Sequence, residues 1–177
     1  MKTNGHRKSR RGAIRMIDVG DKPVTARMAT AVGRITLNKQ TFAAILSGGT
    51  AKGDVLAAAH LAAIMGAKRT AEIIPLCHPL PVSGIDVRIE PDKAEQDAAP
   101  KGERAAFRVS VTVRTEAKTG VEMEALMGVS AALLTIYDMS KGMDKTMVLD
   151  TIQLVEKRGG RSGTFRLPVA RRRGGSP

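Results

Sequence analysis

AAFRVSVTVRTEAKTGVEMEALMGVSAALLTIYDMSK, residues 105–141, changes its hydrophobic period half-way along. Up to Ala117 the side chains alternate, with Phe107, Val109, Val111 and Val113 on one side and Arg108, Ser110, Thr112 and Arg114 on the other. A period of two marks a strand with one buried face. From Val121 the apolar residues recur at helical spacing for about twenty residues, which predicts one long helix. A strand that is polar on one side and hands over to such a helix belongs to a sheet covered on one face.

Working outward, residues 24–36 alternate well enough for a strand. Asn38 is a candidate cap for a short helix that ends at the glycines 48–49. Residues 52–74 read as one longer, Ala-rich helix, with Lys68 and Arg69 near its C-terminal end, where cations are favoured. Pro75, Pro79 and Pro81 then exclude helix. Residues 85–90 and 147–157 alternate as strands, 91–103 form a polar loop, 158–163 (RGGRSG) a flexible basic loop, and 164–169 a short last strand. The order β, α, α, β, β, α, β predicts an α+β fold, a ferredoxin-like sandwich with a mainly antiparallel sheet and helices packed on one face.

The chain has 177 residues, which suits a single domain over 16–168. Three Phe, one Tyr and no Trp mean that aliphatic side chains must build the core. One cysteine, Cys77, excludes an internal disulfide and points to a reducing compartment. The first apolar run is too short for a secretory signal and no run reaches the ~18–20 residues of a membrane span, so a cytoplasmic protein with no membrane partner is expected.

The formal net charge is +12. Residues 1–15 hold six cations and no acid, and residues 171–173 are all arginine, so only +3 remains for 16–170. The excess therefore sits in two segments, 1–15 and 169–177, whose composition predicts disordered basic tails. A basic nucleic-acid-binding protein on an α+β platform is the competing reading, and it requires tight, salt-sensitive binding through those tails. The body lacks aromatics on which bases could stack. Its mild positive charge suits a small anionic ligand.

The long helix carries candidate chemistry at both ends. Asp138 and Lys141 are neighbours three residues apart and interrupt an apolar run. They fit a surface ion pair or an acid–base pair facing a substrate. Glu122 and Glu124 stand at the helix start, where the dipole stabilises carboxylates whether they cap the helix or bind a ligand. Glu124 and Asp138 are separated by about 21 Å along a continuous helix, on nearly the same face. One small-molecule site cannot easily touch both from one chain, so either they serve different purposes or two copies pack start to end. Cys77 and His78 are adjacent, and in an extended loop they would point apart. His78 is the better placed for a ligand; Cys77 fits a small core residue equally. Lys52 before a helix start and Lys157 before RGGRSG suit a phosphate-bearing ligand, although GGTAKGD is not a P-loop. His6, His60 and His78 show no metal-ligand spacing, so no metal site is expected.

Six segments add a resemblance: MIDVGDK, KGDVLAAAHLA, AKRTAEIIPLCHPL, KTGVEMEAL, LLTIYDMSK and EKRGGRSG, spread over roughly residues 16–167. Together they resemble the cyclic pyranopterin monophosphate synthase family, also called molybdenum cofactor biosynthesis protein C. The resemblance implies a ferredoxin-like lyase of molybdenum cofactor (molybdopterin) biosynthesis. It implies a hexamer built as a trimer of dimers, with sites at dimer interfaces. The implied substrate is the GTP-derived 3′,8-cyclo-7,8-dihydroguanosine 5′-triphosphate, and the products are the pterin cyclic pyranopterin monophosphate and pyrophosphate. Carried over by motif, Asp138 and Lys141 are the catalytic pair. Lys52, Leu76, Cys77, His78, Glu122, Met123, Glu124 and Lys157 line the pocket, and Arg161 joins Lys52 and Lys157 at the triphosphate. No cofactor is required, although Mg²⁺ at the triphosphate is compatible with the chemistry. Ser140 stands where some relatives carry cysteine, which implies that no thiol is needed there. A lysine cluster around Lys141 is expected to lower its pKa toward neutrality.

Overall fold

The computed structural model describes residues 14–92 and 104–168. The expected tails, 1–15 and 169–177, lie outside the described residues apart from Ile14 and Arg15, as does most of the polar loop, residues 93–103. Strand β1 (Thr25–Asn38) is followed by helices α1 (Lys39–Leu46), α2 (Val55–Lys68) and the single turn α3 (Thr70–Ile73). Then come β2 (Val82–Pro91), β3 (Arg104–Ala117), the long helix α4 (Glu122–Ser140), β4 (Val148–Arg158) and β5 (Phe165–Arg166).

The sheet order is β2-β3-β1-β4-β5, and every neighbouring pair is antiparallel. The first four strands are those of a ferredoxin-like sandwich, with β5 added at the edge. Registers Ala31↔Val111, Gly33↔Val109 and Ile35↔Phe107 place the odd-numbered side chains of β1 and β3 on one face. That face is dry: Ile35, Leu37, Phe107, Val109, Val111 and Val113 are fully buried. Burial of each large apolar side chain contributes roughly 1.5–3 kcal/mol over exposure. The opposite face is polar, with a Thr30–Thr112 hydroxyl contact at 2.8 Å and a forked Arg34–Asp150 pair at 2.9 and 3.1 Å.

Helix α4 lies across the dry face, and small residues let it come close. A Cβ on Gly33 would lie 2.5 Å from Val129 Cγ1 and 2.8 Å from Leu133 Cδ1. Helix α2 packs on α4 in the same way, through buried Ala59, Ala63, Gly66 and Ala67. The expected Asn38 cap is present, its side chain accepting the Thr41 N–H at 2.7 Å. The single helix expected over 52–74 is divided. Helix α2 starts at Val55 because Asp54 caps it, accepting from Ala57 N at 2.9 Å. It ends at Lys68 because the Thr70 hydroxyl donates to the carbonyls of Gly66 and Ala67, taking up two acceptors of the last turn. Among the described residues no helix is long and apolar enough to cross a membrane.

Candidate active site

Helix α4 has 19 residues, about 28 Å of axis, and functional groups stand at both ends. At its last turn Asp138 is held from two sides. Lys141 Nζ donates to Oδ1 at 2.6 Å, and Lys52 Nζ donates to Oδ2 at 2.8 Å and to the Asp138 carbonyl at 3.0 Å. Lys141 is the residue on which α4 closes, its N–H donating to Tyr137 O at 2.8 Å. Lys52 comes from the turn between α1 and α2. All three side chains are about half exposed.

The hydrogen bond from Lys141, and then that from Lys52, hold the Asp138 carboxyl well below the usual range, at about 2. The same contact with Asp138 raises the Lys141 pKa. This corrects the expectation of a lowered lysine: the nearest charge to Lys141 is a carboxylate, which favours the ammonium form. Within one chain Lys52 lies on Asp138 and not beside Lys157.

At the other end, the first turn of α4 and the proline-bounded loop enclose a cleft of about 440 Å³. Leu76, Cys77, His78, Glu122 and Met123 line it, together with Arg15, Val19 and Lys22 of the segment that leads into β1. Gly120 lacks a side chain where one would run into the Glu122 carboxylate. Lys157 Nζ stands 3.8 Å from Glu122 Oε1 and donates to the Ser162 hydroxyl. Glu124 does not line the cleft. It is 3% exposed, and its Oε1 accepts from the Cys77 thiol at 3.6 Å. It faces a smaller cavity of about 130 Å³ beside Thr70 and Leu80. Burial pushes the Glu124 pKa up. Burial, and then the charge of Glu124, push the Cys77 thiol up to about 11.

A second cavity of about 430 Å³ shares Lys22 and Thr119 with the first. Arg27, Lys118, Arg161 and Ser162 line it, and among the described residues no acid does. Arg27 Nη2 donates to Lys118 O at 3.2 Å, and Lys118 Nζ to Gly20 O at 2.6 Å. Gly160, at φ 74°, brings the RGGRSG loop against the Arg27 guanidinium, where a side chain would collide.

The chain matches the family model described as MoaC family over residues 16–160. The chain belongs to the MoaC family. A relative from Chloroflexus aurantiacus named cyclic pyranopterin monophosphate synthase is 54% identical over 157 residues, 89% of this chain and 91% of that protein. Proteins of the same name from Thermomicrobium roseum and Helicobacter pylori are 51% and 48% identical, covering 88% and 85% of this chain and 89% and 90% of their own lengths.

The candidate residues thus fall into two groups. Lys52, Asp138 and Lys141 meet at the end of α4. Leu76, Cys77, His78, Glu122 and Met123 gather at its start, with Glu124 behind Cys77 and with Lys157 and Arg161 alongside. Sequence reasoning missed Lys22, Arg27 and Lys118. Lys22 and Lys118 lie inside the MIDVGDK and KTGVEMEAL segments, and a cation inside each quoted segment was the available signal. Arg27 sits in an alternating strand and carries no local mark. Among the described residues no three His, Cys, Asp or Glu side chains cluster as a metal site would require.

Proposed function

We propose that this chain is a cyclic pyranopterin monophosphate synthase. It converts 3′,8-cyclo-7,8-dihydroguanosine 5′-triphosphate to cyclic pyranopterin monophosphate and pyrophosphate in molybdenum cofactor biosynthesis. The observation that carries this reading is the carboxylate of Asp138 bracketed by Lys52 and Lys141. The reaction opens a purine-derived ring, rebuilds it as a pterin and closes a cyclic phosphate. A sugar-derived hydroxyl attacks the phosphorus next to the sugar, the bond from that phosphorus to the bridging oxygen breaks, and pyrophosphate leaves.

Lys141 enters as an ammonium, so it serves as a proton donor to the opening ring, and Asp138 orients it and holds its charge. The cations of the second cavity, Lys22, Arg27, Lys118 and Arg161, receive the triphosphate and neutralise the charge that develops on the leaving pyrophosphate. His78, Glu122 and the apolar Leu76 and Met123 take the ring system. Cys77 is a thiol at neutral pH and serves as a wall and hydrogen-bond donor to Glu124. No cofactor is needed, and any Mg²⁺ arrives with the triphosphate. The work is placed in the cytoplasm.

The two groups of residues complete one another only if a second copy brings its Asp138–Lys141 end to the cleft of the first. Leu61 on α2 and Leu134 on α4, 62% and 60% exposed, support packing between copies. The assembly proposed is a hexamer, a trimer of dimers with shared sites.

The test is pyrophosphate release and pterin formation from freshly made substrate, wild type beside Lys141→Ala. Loss of about 10²–10⁴-fold in kcat is expected. Near-normal turnover by Lys141→Ala would remove its role, and no product from a folded wild type would sink the reading.

A further inference from the structure

Asp144 is a buried carboxylate that the proposed reaction does not use. It is 4% exposed. Its Oδ2 accepts the backbone N–H of Asn38 at 2.8 Å, and its Oδ1 accepts the N–H and hydroxyl of Thr146 at 2.8 and 2.7 Å. Arg104 ties down the same corner, donating to Thr36 O at 3.2 Å and Thr146 O at 2.9 Å. A buried carboxylate is costly unless its oxygens are met by donors, and here both are.

What the carboxylate joins is informative. On one side is the turn that leaves α4, where Met143 N and Asp144 N both donate to Ser140 O directly after Lys141. On the other is Asn38, which caps α1, the helix that runs into the turn carrying Lys52. Lys141 therefore issues from the turn that Asp144 closes, and Lys52 from the loop beyond the far end of α1, whose start Asp144 holds; their ammonium groups meet on Asp138.

We propose that Asp144 is a positioning residue for the Asp138–Lys141 pair, fixing the end of α4 against the start of α1 so that Lys141 and Lys52 reach Asp138 together. The proposal rests on the reading of Asp138 and Lys141 as catalytic. A displacement of about 1 Å at a reacting group can cost a hundredfold in rate. An apolar side chain of similar volume would fill the corner without fixing its orientation.

The experiment compares Asp144→Asn and Thr146→Val with wild type. Asn keeps the shape but presents an NH2 to a donor that the carboxylate accepted; Val removes one hydroxyl bond and leaves the carboxylate in place. The expected result is a kcat lower by about ten- to a hundredfold for Asp144→Asn and by less for Thr146→Val, with KM within about twofold. Each variant is also made in the Lys141→Ala background, where Thr146→Val should cost nothing further, since it acts through Lys141. Equal losses in both backgrounds, a rise in KM alone, or a loss that only follows the fraction unfolded by circular dichroism would overturn the proposal. If Asp144→Asn does not fold, the Thr146→Val cycle decides alone. If Lys141→Ala itself is fully active, the catalytic reading fails first, and a wild-type rate for folded Asp144→Asn beside an inactive Lys141→Ala removes only the positioning role.

Discussion

At Asp138 two lysines from distant parts of the chain set the protonation of the carboxyl, and the carboxylate acts back on Lys141. The lysines depress the carboxyl and the carboxylate raises Lys141, so the cluster remains an ion pair through neutral pH. The sign follows from both shifts. The depressed Asp138 contributes to the pairing above its unfolded pKa and stops doing so as pH falls through about 2. The raised Lys141 contributes below its unfolded pKa and stops as pH rises through its higher folded value. Cys77 behaves in the opposite way to a reactive thiol. With a pKa of about 11, roughly one thiol in ten thousand is ionised at pH 7. Iodoacetamide at pH 8 should therefore label native Cys77 about a hundredfold more slowly than the unfolded chain, with a rate that keeps rising beyond pH 10. Fast labelling with a plateau near pH 8 would show that burial and Glu124 do not control this thiol.

Helices α2 and α4 meet along a seam of Ala and Gly, and this contact sets where both ends of α4 point. A Cβ at Gly66 would lie 2.6 Å from the Ala131 side chain and 3.0 Å from the Met127 carbonyl oxygen. Alanine would gain about 1 kcal/mol of helix propensity, but overpacking against backbone costs roughly 1–3 kcal/mol. Because the added Cβ meets the Met127 carbonyl and Ala131, the cost should exceed the gain, so Gly66→Ala should lower stability by up to about 2 kcal/mol, seen as a fall of up to a few degrees in Tm. An unchanged or higher Tm would mean that the helices can separate at little cost. The existence and type of these elements were legible from periodicity: β3 and α4 announce themselves in residues 105–141. Their limits were less so. The division of residues 52–74 depends on the Thr70 hydroxyl finding two carbonyls, which no spacing of apolar residues reveals.

For the whole molecule, the separation of about 21 Å between Glu124 and Asp138 is the decisive dimension. If each site draws Asp138 and Lys141 from one copy and His78 from another, two inactive variants can rescue each other. Co-assembled Lys141→Ala and His78→Ala chains should recover about one quarter of wild-type activity, because half of random dimers are mixed and each mixed dimer holds one intact site. Activity no higher than that of the separate variants would place the whole site within one chain.

By itself the sequence determined the α+β class and the order of the main strands and helices, because hydrophobic period, caps and proline placement act over a few residues. It also determined that Glu124 and Asp138 lie too far apart on one helix for a single small ligand, since helical rise is fixed. Tertiary structure alone decided that Lys52 reaches Asp138 across 86 residues, that Glu124 lies behind Cys77, and that Arg27 and Lys118 join Arg161 around one cavity. It also reversed the expected direction of the Lys141 pKa. Those outcomes depend on which charge stands nearest in space, and that is set by how the helices pack on the sheet.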